Sequence, residues 1–89
     1  MSQVTLYTTS MCPYCVRAKR LLDRKGVPYE EINLDGDWEG RRALVQKANG
    51  SRTVPQIFVG PVHVGGFDDM NALDRRGRLD PLLREQGIL

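Results

Sequence analysis

Within its first quarter the chain changes hydrophobic period, and the change falls on its two cysteines, Cys12 and Cys15. Val4-Thr5-Leu6-Tyr7-Thr8 alternates and is rich in β-branched and aromatic residues, which predicts a strand. Thr9-Ser10-Met11 reads as a loop. From Pro13 the apolar positions recur at helical spacing, with Cys15, Ala18 and Leu22 on one face and Leu21 beside them. Pro13 suits a first helical turn, where its missing N–H is not needed, and Gly26 supplies a stop. A strand, a short loop and a helix in succession predict the opening of a β-α-β unit, whose right-handed crossover makes its two strands parallel.

The remaining elements follow from the same periodicities. Tyr29-Glu30-Glu31-Ile32-Asn33 predicts a second strand, and Asp35-Gly36-Asp37 a turn and helix entry. Residues 38–48 predict a helix with Leu44, Val45 and Ala48 as its apolar stripe, ended by Asn49-Gly50. Gln56–Val59 and Val62-His63-Val64 predict two more strands, joined by a tight turn at Gly60-Pro61. Asp68 and Asp69 open a helix running through Met70 and Leu73, and residues from Asp80 add a short helical piece that packs Leu82 and Leu83. The predicted fold class is α/β, a four-stranded mixed sheet flanked by helices, in one domain over residues 1–89. At 89 residues there is room for one core, and a chain of this size buries only about 60% of its unfolded surface.

Composition bounds the function. With 40% apolar and 27% charged residues the chain reads as globular, and no apolar run approaches the roughly 20 residues of a spanning helix. Met1-Ser2-Gln3-Val4 lacks the basic and apolar regions of a secretory leader, so the expected compartment is the cytoplasm and no membrane partner is expected. There a structural disulfide is improbable, and a C-x-x-C is catalytic or metal-binding. A net charge of +2 from dispersed basic residues gives no reason to expect a nucleic-acid partner. Arg17, Lys19, Arg20, Arg24 and Lys25 populate the first predicted helix and read as a solvated face. The first of them also have the charge to raise the potential at the Cys12 end or to attract acidic partner surfaces.

Cys12-Pro13-Tyr14-Cys15 has the layout of a reversible dithiol, because residues i and i+3 of a helix share a face and their sulfurs can join without large backbone movement. Cys12 is predicted at the open helix end, where free N–H groups and the dipole favour a thiolate. Cys15 is predicted inside the first turn, shielded and protonated. A free thiol is only a few per cent ionised at neutral pH, and a helix N-terminus lowers a cysteine pKa to roughly 3.5–7.5. Cys12 is therefore the predicted nucleophile and Cys15 the resolving thiol. His63 is the one histidine; an all-protein four-ligand zinc site cannot be built from this chain alone, and His63 is assigned to ordinary strand surface.

Downstream of the cysteines stand Arg52-Thr53-Val54-Pro55-Gln56-Ile57-Phe58-Val59 and then Gly65-Gly66-Phe67-Asp68-Asp69. With Cys-Pro-Tyr-Cys these motifs, in this order, resemble the dithiol glutaredoxins over nearly the whole chain. The resemblance implies a thioredoxin-like fold and a glutathione-dependent thiol-disulfide oxidoreductase. It implies that Tyr14 flanks the glutathione sulfur and that Thr53, Val54 and Pro55 form a cis-proline edge pairing with the cysteinyl backbone of glutathione. It further implies that Gly66, Phe67 and Asp68 receive the γ-glutamyl end, with helix amides on its carboxylate and the Asp68 carboxylate on its amino group. Asp69 reads as complement to the helix dipole. Glutathione is the implied co-substrate, no metal is expected, and the implied partners are disulfide-containing or glutathionylated proteins met by a monomer.

Two positions depart from the family pattern. Many glutaredoxins carry a lysine or arginine three residues before the first cysteine, where it meets the glycine carboxylate of glutathione; here that residue is Thr9, and Arg41 or Arg42 is the candidate replacement. Phe67 stands where a small or polar residue is common. Two other family activities stay open on the motifs: a glutathione-ligated iron-sulfur dimer, which Pro13 disfavours, and a redoxin recharged directly by thioredoxin reductase, which the glutathione-type segments disfavour.

Overall fold

The structure, a computed structural model, describes residues 3–89. Met1 and Ser2, part of the N-terminal stretch read above, lie outside the described residues. The elements run β1 (Val4–Thr8), α1 (Pro13–Arg24), β2 (Tyr29–Asn33), α2 (Trp38–Lys47), β3 (Gln56–Val59), β4 (Val62–Gly65), α3 (Phe67–Arg75) and α4 (Leu79–Glu85). The strands form one mixed sheet ordered β2-β1-β3-β4. β1 runs parallel to β2, with Val4 opposite Tyr29, and antiparallel to β3, with Val4 opposite Val59. This is the expected thioredoxin-like layout, and it sends the loop after Thr8 off the carboxyl end of a central strand.

Alternation along β1 decides which way the layers face. Val4, Leu6 and Thr8 are buried, while Thr5 and Tyr7 between them are only half-buried. Leu6, Ile57 and Val59 of the sheet pack with Ala18, Leu21 and Leu22 of α1, Met70 of α3, and Leu79 and Leu83 of α4 in one apolar cluster. On the other face Tyr7 meets Phe58 edge to face at 5.7 Å, and the Lys47 ammonium of α2 lies 5.9 Å over the Tyr7 ring. Leu44 of α2 and Ala48, its C-cap, are buried as the predicted stripe requires, and Val45 is half-buried.

Element ends follow local chemistry. α1 closes where Gly26, at φ 68°, lets its own N–H reach Asp23 O and the Val27 N–H reach Leu22 O, each at 3.0 Å. Just before Gly26, the C-cap Lys25 has its Nζ 2.6 Å from Asp74 of α3 and 2.8 Å from Asp80 of α4, binding the end of α1 to both. Four boundaries differ from expectation. Helix α2 ends at Lys47, with Ala48 as its C-cap. Helix α3 starts at Phe67 with Gly66 as its N-cap, so Asp68 is its second residue and not its opening. The fourth strand runs on to Gly65. The last helix begins at Leu79, which is fully buried together with Leu83, whereas Leu82 is only partly covered.

Candidate active site

Helix α1 delivers the dithiol. Cys12 is its N-cap and Pro13 its first residue, so the Cys15 N–H in the first turn points back and donates to Cys12 Sγ at 3.1 Å. The two sulfurs are joined as a disulfide, with the Cα atoms 5.2 Å apart, within the usual range. Cys12 stays partly exposed while Cys15 is 1% exposed. The expected asymmetry of an accessible sulfur and a shielded one is present. Cys12 Sγ also lies 3.8 Å from the Val54 carbonyl, which brings the first cysteine against the second motif.

The loop that carries Cys12 is tied down behind. Ser10 donates its backbone N–H to Asp35 Oδ1 at 3.0 Å and its hydroxyl to Asp35 Oδ2, while Asn33 Nδ2 donates to Ser10 Oγ at 3.2 Å. The Ser10 hydroxyl, followed by its backbone N–H, holds the Asp35 carboxyl below its ordinary pKa. One turn deeper, fully buried Thr8 donates to Glu31 at 2.7 Å, and Lys19 of α1 bridges the same carboxylate at 3.1 Å. The Thr8 hydrogen bond first, then Lys19, lowers the Glu31 pKa against the opposing effect of burial.

Beside the sulfurs lies an open cavity of about 400 Å³, and every residue expected at glutathione lines it: Tyr14, Thr53, Val54, Pro55, Gly66, Phe67 and Asp68. The Val54–Pro55 peptide bond is cis, as expected. Tyr14 is half exposed, its ring 6.4 Å from that of Phe67. Helix α3 points its first turn at the cavity, where the N–H groups of Phe67 and Asp68 have no acceptor within the helix. Arg41 Nη2 donates to the Arg52 carbonyl at 3.2 Å, so of the two candidate cations Arg41 is attached to the segment leading into Thr53, whereas Arg42 is exposed.

Three residues have roles the sequence did not suggest. His63 is not plain strand surface: it is half-buried, its ring stacks on Phe58 at 4.8 Å, and its Nε2 meets Gln56 Oε1 at 2.7 Å. Gln56, 1% exposed, spends its amide on Thr53 O and Ser51 Oγ, each at 3.0 Å, and so holds the approach to the cis-proline edge. A glutamine among apolar strand residues was the available signal. Asp69 is more than a complement to the dipole, since its carboxylate accepts the Gly66 N–H at 3.0 Å and caps the helix. Gly66 has no side chain to return the bond, so only that half of a capping box exists.

The glutaredoxin family model matches residues 4–64. A glutaredoxin of Pseudomonas aeruginosa is 59% identical over 83 residues, covering 93% of this chain and 98% of the relative. Glutaredoxin 3 of Escherichia coli is 51% identical over 84 residues, covering 94% of this chain and all of the relative, 100%. The chain belongs to the glutaredoxin family. As a glutaredoxin it is a thiol-disulfide oxidoreductase with an adjacent cysteine pair. Solved structures agree: the buckwheat glutaredoxin-glutathione complex superposes with a TM-score of 0.89 at 37% identity, covering 99% of this chain and 82% of that one. The glutaredoxin of Brucella melitensis gives a TM-score of 0.82 at 47% identity, covering 100% and 95%. Among the described residues of this glutaredoxin no helix is long and apolar enough to cross a membrane.

Proposed function

We propose that this glutaredoxin reduces protein disulfides and glutathione mixed disulfides with Cys12 as nucleophile, Cys15 as resolving thiol and glutathione as the source of electrons. The observation that carries the division of labour is the 3.1 Å bond from the Cys15 N–H to an accessible Cys12 Sγ, while Cys15 itself is 1% exposed. In the reduced protein that N–H and the helix end favour negative charge on Cys12. The Cys12 thiolate attacks one sulfur of a substrate disulfide; a mixed disulfide forms and the other substrate sulfur leaves as thiolate. Cys15, losing its proton, then attacks Cys12 Sγ and releases the second substrate thiolate, leaving the Cys12–Cys15 disulfide. Two glutathione molecules restore the dithiol, so one substrate disulfide and two glutathiones become one substrate dithiol and one glutathione disulfide.

Glutathione is seated in the 400 Å³ cavity. The Val54 backbone meets its cysteinyl unit as an added strand would, Tyr14 covers the sulfur, Thr53 and Pro55 complete the edge, and the α3 amides with Gly66, Phe67 and Asp68 receive the γ-glutamyl end. The buckwheat relative, solved as a glutathione complex, supports this assignment. The protein works as a cytoplasmic monomer and as one domain. The test is a steady-state assay on a glutathionylated small thiol. Turnover that needs reduced glutathione and saturates with it is the expected result; turnover that needs thioredoxin reductase and ignores glutathione would refute the proposal.

A further inference from the structure

The basic residues of α1 divide into two sets. Lys19 is paired with Glu31, and Lys25 with Asp74 and Asp80. Arg17, Arg20 and Arg24 are exposed, form no ion pair among the described residues, and line one open groove with Asp23 and Phe67. Their spacing of three and four residues puts them in one stripe along the helix. The stripe begins at the redox motif: the Arg17 guanidinium lies 5.4 Å over the Tyr14 ring. Phe67 lines both this groove and the cavity beside the sulfurs, so the Tyr14 and Phe67 rings form a wall between them. Phe67 is one of the two positions at which this chain departs from the family pattern, and it gives the basic groove an apolar surface next to Tyr14 of the redox motif.

We propose that this groove docks an acidic segment, carrying an apolar residue, of disulfide-bearing protein substrates. This rests on the oxidoreductase reading and adds the substrate class. Unpaired guanidinium groups present forked donors matched to carboxylates, and a row of like charges is relieved by an acidic partner. Asp23 is the one carboxylate in the groove against three arginines, so the local balance is positive. From Tyr14 to Arg24 the helix rises about 15 Å, which an extended chain at about 3.3 Å per residue covers with four or five residues. A peptide reaching Cys12 with its disulfide therefore lays the residues flanking its cysteine along the stripe, while glutathione, held on the far side of the ring wall, does not touch it.

Two synthetic disulfide peptides, identical except that the residues flanking one cysteine are glutamates in one and lysines in the other, test the proposal with the full chain. At low ionic strength the acidic peptide should have the higher kcat/KM. The double variant Arg20→Ala, Arg24→Ala should lose about threefold to tenfold on the acidic peptide, and keep its rate on a glutathionylated small thiol. The preference should fade near 1 M salt, where screening acts within about 3 Å, and Arg20→Lys, Arg24→Lys should keep the part that charge alone supplies while losing the part owed to the forked donors, falling between wild type and the alanine variant. A wild-type protein active on the small thiol but indifferent between the peptides would overturn the groove alone. Turnover of none of the substrates would overturn the oxidoreductase reading and the groove with it. Inhibition of acidic-peptide turnover by a single-stranded oligonucleotide as strong as by polyglutamate would mark the stripe as a general anion surface and reject the proposal.

Discussion

Cys12 and Cys15 were legible as single residues because their spacing, with Pro13 between them, fixes both a helix end and a reactive pair. His63 and Gln56 were not, because the bond between them and the Phe58 stack depend on the β3 to β4 register, which slips between Ile57 and Phe58 and which hydrophobic period does not encode. Thr9 was legible only as an absence: a family cation is missing, and Arg41, bonded to the Arg52 carbonyl at 3.2 Å, holds the loop entering Thr53 and does not line the cavity. Thr9→Lys should therefore lower the KM for glutathione by at most several-fold, an exposed pair being worth about 0.2–1 kcal/mol. A glutathione saturation curve at low and high ionic strength checks it, and the gain should shrink with salt. An unchanged KM would contradict the reading that the missing cation at Thr9 limits how glutathione is held.

At the scale of elements, β1 and α1 were readable from hydrophobic period alone, since each buries a continuous stripe in the core. The passage from β4 to α3 was not, because there the backbone bends for reasons periodicity does not encode. The register slips between Ile57 and Phe58, where β4 carries one extra residue, and Gly65 then takes φ 115° before Gly66 caps α3. A side chain at Gly65 would be strained by that φ and would also run into the Asp69 carboxylate, which is engaged in capping. Gly65→Ala should destabilise the fold by about 1–3 kcal/mol and weaken glutathione use as well, since the first turn of α3 lines the cavity. Urea unfolding and a KM measurement on the same variant check the two effects together; a fully stable variant would show that the turn is easily rebuilt.

For the molecule as a whole, the layered sheet was legible, but the clamp that gathers the three helices on one side of it was not. Lys25 and its partners are 49 and 55 residues apart in sequence, and nothing local pairs them. The hydrogen bond from Asp74, followed by that from Asp80, raises the Lys25 pKa above its ordinary 10.5. A raised Lys25 pKa means that, with the carboxylates ionised, the clamp contributes fully up to pH 10.5 and is lost as pH rises through the folded value. Lys25→Met should lower the midpoint of thermal unfolding by a few degrees at neutral pH and by less in strong alkali. An equal deficit at every pH would instead assign the loss to packing of the lysine stem.

The whole construction of sheet, capped helix and cavity serves one claim, that an accessible Cys12 attacks and a shielded Cys15 resolves. The most direct measurement compares Cys12→Ser with Cys15→Ser on a glutathionylated small thiol and on a protein disulfide. Cys12→Ser should be inactive on both, whereas Cys15→Ser should turn over the glutathionylated thiol and lose most of its activity on the protein disulfide. Equal loss by the two variants on the glutathionylated thiol, or activity surviving in Cys12→Ser, would contradict the claim.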